Sequence, residues 1–93
     1  MPGPAKAFML GVDDVGTYIN PGDLAIWLDL KFRCVVVGHD GQLGKKQLQV
    51  FLDPSLTGAQ TNAAIAAVIT AYATSLGNTL AANQIYLLAF NRV

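Results

Sequence analysis

The sequence predicts an α+β domain. A small mixed sheet, ordered β-β-α-β with room for an extra N-terminal strand, carries one long helix on one face. Three stretches carry this expectation. Leu24 to Val37 alternates apolar and polar residues as a half-buried strand does. Thr57 to Leu76 repeats its large apolar residues at helical spacing, and Gln84 to Asn91 is apolar on both faces of an extended chain.

Residues 1–22 hold three prolines and four glycines around apolar patches at Phe8, Val12 and Tyr18. They read as an N-terminal arm with turns, within which Ala5 to Leu10 has the character of a short strand. Pro21-Gly22 closes the arm, and a single domain, 23–93, follows. In the first long strand Ile26, Leu28, Leu30, Phe32, Cys34 and Val36 share one face, while Asp29, Lys31 and Arg33 lie on the other. Gly38 to Gly44, centred on Asp40-Gly41, is a turn, and Gln47 to Leu52 resumes alternation with Leu48, Val50 and Leu52 inward. Asp53-Pro54 ends this second strand, because proline cannot continue the ladder.

The helix is bounded at both ends. Thr57 and Gln60 fit a capping box, and Gly77 suits the left-handed position beyond the last turn. Ile65, Val68, Ile69, Tyr72 and Leu76 form a stripe expected to face the sheet. The opposite side carries Ala63, Ala67, Thr70, Ala71 and Thr74, where a solvated helix usually shows Lys and Glu. After Asn78 to Asn83, the third strand places Ile85, Leu87 and Ala89 on one face and Tyr86, Leu88 and Phe90 on the other. One helix covers one face, so the other needs the N-terminal arm or another copy of the chain. A right-handed crossover would set this strand parallel to the second; strand order is left open.

Ninety-three residues are enough for one core. Charged residues make up 13 %, about half the usual share, and glutamate is missing. Six basic and six acidic side chains cancel, so no long-range field draws nucleic acid or an anionic membrane, and neither is an expected partner. The longest apolar run in the helix is too short to span a bilayer. The N-terminus, with one lysine and no long apolar segment, does not read as a signal peptide. Cys34 is the single cysteine. It excludes an internal disulfide, fits a reducing compartment and reads as a small buried hydrophobe.

No motif for chemistry survives inspection. Gly38, Gly41, Gly44 and Lys45 suggest a phosphate loop, but position 39 is His, position 46 is Lys and a strand follows. His39 has no second ligand nearby for a metal and reads as an exposed loop residue. With Asp40 it lacks a nucleophile or an oxyanion site. Asp13, Asp14 and Asp23 lack the spacing of a calcium loop and suit turns and caps. No catalytic residue, cofactor or metal site is expected, and the chain does not read as an enzyme. Trp27, on the polar side of the first strand, and Tyr86, Leu88 and Phe90 would share an apolar patch with Val35 and Val37 if their strands were neighbours.

From Gln47 to Phe90 the order of a short strand, a Thr/Gln-capped Ala-rich helix (TNAAIAAVITAYATSLG), an Asn-containing connection and an apolar strand resembles small structural proteins of tailed-bacteriophage particles. The resemblance covers about half the chain. It implies a multi-copy virion component, such as a capsid decoration or head–tail protein, made in the host cytoplasm and bound to itself or to a larger shell protein. The expected interface is Ala63, Ala67, Thr70, Ala71 and Thr74 on the helix, with Trp27, Tyr86, Leu88 and Phe90 on the sheet. The rival expectation is a small module binding a peptide or apolar ligand through the Trp27/Tyr86/Phe90 side.

Overall fold

In a computed structural model that describes residues 3–88, four strands form one mixed sheet and a single helix packs on one face. β1 spans Lys6–Ile19, β2 Ile26–Val37 and β3 Leu43–Leu52; α1 spans Gly58–Ser75, and a 3₁₀ turn at Ala82–Gln84 leads into β4, Ile85–Tyr86. The order across the sheet is β3-β2-β1-β4. β2 is antiparallel to both long neighbours, whereas β4 runs parallel to β1. The last strand therefore shares the direction of β3 without touching it.

The extra N-terminal strand allowed for at Ala5 to Leu10 forms, and it runs on through the segment expected as an arm. Residues 6–19 form a strand inside the sheet, beside β2 along its whole length. Two β-bulges hide it from a period-two reading: pairing slips between Met9 and Gly11 and again between Val12 and Asp14. Each slip inserts one residue, so the side facing α1 passes from Ala7 and Met9 to Val12 and then to Val15. Gly11 and Asp13-Asp14, which resemble turn signals, mark these bulges. Arg33 lies across Gly11, where an added Cβ would stand 2.6 Å from its guanidinium. From there Arg33 Nε donates to Asp13 Oδ1 at 2.8 Å.

The β1–β2 turn runs further than expected. The Asn20 and Ala25 backbones bond at 2.9 Å, and Leu24, expected to open the strand, sits in the turn at φ 58. In the β2–β3 loop Gly41 takes φ 83, a conformation natural to glycine, and Asp40 Oδ1 accepts from the Gln42 amide. β3 begins at Leu43, so Gly44, Lys45 and Lys46 belong to the strand. Gly44 lies under Tyr72 and Leu76, whose atoms come within 2.9 Å of an ideal Cβ there.

Both helix ends form as the sequence predicts. Gln60 N–H donates to Thr57 Oγ1 at 3.1 Å and Thr57 N–H to Gln60 Oε1 at 2.9 Å. At the other end Gly77 has φ 80, and the Asn78 and Gly77 amides donate to Ala73 and Thr74 carbonyls, a Schellman closure. Thr61, Ile65, Ile69 and Ala73 are the buried helical residues. The buried line is thus turned from the expected stripe: Val68 and Tyr72 are half-buried and Leu76 is 46 % exposed. Ala73 takes the close approach that a larger side chain would block. The Thr61 hydroxyl is satisfied by the Thr57 carbonyl.

The core lies between α1 and one sheet face. Leu30, Phe32, Cys34 and Val36 of β2 and Leu52 of β3 are fully buried against Ile65 and Ile69, with Ala7, Met9 and Val50. Ile85 and Leu87 pack against this cluster from the β4 side. Among the described residues no element covers the opposite face; the N-terminal segment joins the sheet edge-on.

Candidate interaction surfaces

The back of α1 carries the first surface. Ala63, Ala67, Ala71 and Thr74 are exposed, and Thr70 is half-buried. No charged residue occurs in α1 or onward to Leu88, so the surface is apolar and fine-grained. Beside it Ala63, Ala67 and Thr70 face Leu80, Ile85 and Leu87 across a shallow groove of about 450 Å³. The amphipathic period reveals the inner stripe but not this groove, because the connection through Leu80 has no period of its own.

The sheet face away from α1 divides by register into three zones. Phe8 and Tyr86 stack at one end, with ring centroids 5.0 Å apart. A polar band follows: Asp13 accepts from both Arg33 and Gln47, and Asp29 accepts from Gln49 at 2.7 Å. At the far end Tyr18 and Phe51 rings meet at 4.4 Å beside Trp27, which pairs with Tyr18. Trp27 is half-buried, and its Nε1 has no partner among the described residues.

The expected union of Trp27 with Tyr86 does not form. Tyr86 is level with Phe8 and hence with Val35. That position lies eight residues along β2 from Trp27, about 26 Å at roughly 3.3 Å per residue. β1 separates β2 from β4 sideways, and the register of β4 beside Ala7 and Phe8 puts Tyr86 at the end of the sheet opposite Trp27. Tyr86 and Leu88 are half-exposed at one end of the molecule, while Phe90 lies outside the described residues.

The polar residues singled out in the sequence do structural work. His39, expected to be exposed, is half-buried: its amide donates to Asn78 Oδ1 at 3.0 Å, Nδ1 lies 3.3 Å from the Gly3 carbonyl, and Nε2 accepts from the Thr79 amide. It ties the β2–β3 loop to the chain beyond α1. The hollows beside His39 are lined by Asp40, not by Asp13 or Asp23. Asp23 accepts from the Ala25 amide within its turn. No three metal-ligating side chains gather among the described residues, and no described helix is long and apolar enough to cross a membrane. Burial pushes the Cys34 thiol up to about 11, which keeps it protonated and unreactive at neutral pH.

A third surface was not foreseen. Val12, Val15 and Ile19 of β1 and Ile26 of β2 face the α1 side by register, yet they are 39–63 % exposed, and Leu24 at the hairpin tip is 76 % exposed. The molecule is 49 Å long, and an 18-residue helix of about 27 Å reaches only part of it. The β1 bulges concealed this surface as well, since they put Val12 and Val15 in apparent disorder of phase. No protein-family model matches the chain, and comparisons with curated proteins and with solved structures return no significant match.

Proposed function

We propose that this protein is a non-enzymatic structural protein that works in many copies, as a virion component of the capsid-decoration or head–tail kind, contacting itself or a larger shell protein. The observation that carries this reading is the nature of its uncovered surfaces. The helix back is uncharged, its groove is apolar, and the β1–β2 hairpin exposes Ile19, Leu24 and Ile26 without a covering element. Isolated exposed apolar residues are ordinary, but contiguous patches are characteristic of interaction sites. Burying such area contributes roughly 25 cal/mol per Å² before association costs are subtracted. The virion assignment rests on the resemblance of the Gln47–Phe90 stretch alone.

The test is substitution on the helix back. Ala67→Glu and Ala71→Glu place a carboxylate on exposed helical positions, where the monomer tolerates it. Loss of the assembled species in size-exclusion chromatography, with unchanged circular dichroism, is the expected result. Assembly or shell binding that persists undiminished in both variants would remove the helix back from the interface.

A further inference from the structure

The sheet has two uneven edges. Among the described residues, β3 has no strand on its outer side, and β1 is joined by β4 at Ala7 and Phe8 alone. Among the described residues, Leu10 to Ile19 therefore leave half their backbone donors and acceptors without a strand partner. Open edges are templates for pairing, and proteins that must stay monomeric guard them with charge and bulges. Charges of one sign on both edges would repel a second copy. Here the signs are opposite: β1 offers Asp14, Asp13 being held by Arg33 and Gln47 of its own copy, and β3 offers Lys45, Lys46 lying over the Tyr72 ring.

We infer that copies of this chain join head to tail, the open edge of β1 in one copy pairing with the outer edge of β3 in the next. The inference rests on the assembly reading above and specifies its interface. β1 and β3 both run antiparallel to β2 and so point the same way. Rotation about an axis to which the strands are tilted would keep the new pair parallel, stagger it along the strands and extend one sheet through successive copies. The contact is heterologous, which closes into a ring when the rotation closes.

Register supports the match. Asp14 pairs with Lys31 and Lys45 with Val35, so both point away from α1. They sit four residues apart in level, and a stagger of about 13 Å between copies sets Asp14 against Lys45 of the neighbouring copy. A sheet that closes on itself requires a stagger of this kind. Apolar coverage supports it independently. α1 packs on β3 within its own copy. A neighbour docking through β3 would therefore bring its helix toward the exposed Val12 and Val15.

Sedimentation velocity of the full chain and four variants tests the interface. Asp14→Lys or Lys45→Asp alone should raise the concentration of half-assembly about three- to tenfold. The double variant Asp14→Lys/Lys45→Asp should restore it. Val15→Glu, at a site 49 % exposed in the single copy, should abolish assembly with unchanged circular dichroism. Assembly indifferent to all these changes would overturn the edge pairing while leaving the assembly reading intact, as would a monomer that binds a viral shell. A monomer that binds none would overturn both.

Discussion

Cys34 is fully buried, and burial raises its pKa to about 11 from an ordinary 9.0. The consequence for stability has a definite sign. Below about pH 9 the thiol is neutral in both folded and unfolded chains. Between pH 9 and 11 the unfolded chain loses the proton first, so stability falls as pH rises, by roughly 3 kcal/mol at most. Urea unfolding across that range should show this decline in the natural chain and a smaller one in Cys34→Ala. Native Cys34 should also resist alkylation that proceeds readily in denaturant. At the same scale, Thr57→Ala removes the acceptor for the Gln60 amide and should cost about 1 kcal/mol, measured as a lower urea midpoint at an unchanged slope. The burial of Cys34 and the capping role of Thr57 were legible in the sequence because each follows from local spacing. The half-burial of His39 was not, because Gly3, Asn78 and Thr79 reach it from distant parts of the chain.

Among the elements, β2, β3 and α1 follow from periodicity, since each keeps one phase over most of its length. β1 does not keep one. Its two bulges shift the inward phase at Leu10 and Asp13, and the residues that make this possible imitate turns. The misreading had a second effect. Trp27 and Tyr86 share a patch only if β2 and β4 are neighbours, and with β1 between those strands the neighbour of Tyr86 is Phe8. The apolar character of both faces of β4 then needs no covering partner on each side: Ile85 packs on the core and Tyr86 stacks on Phe8. α1 illustrates the converse case. Its outer surface, with Ala63, Ala67 and Ala71, was read as uncharged from sequence and is exposed in the fold. Ala71→Glu therefore belongs to this scale as a probe of an element's face, with loss of assembly and retention of helicity expected together.

Among the described residues, the helix covers one face over part of its length, the hairpin tip extends beyond it, and β3 and most of β1 have no strand on their outer sides. One copy completes its core without these surfaces. A network of copies joined by β1 and β3 would use the edges and the apolar β1 face, while the helix back would remain available to a shell or another ring. Whether the chain assembles is decided by sedimentation velocity of the unmodified protein over a wide concentration range. Conversion from a 9.8 kDa monomer to a discrete multiple is expected as concentration rises. A single monomeric species up to millimolar concentration, with no co-sedimentation on a viral shell, would contradict it.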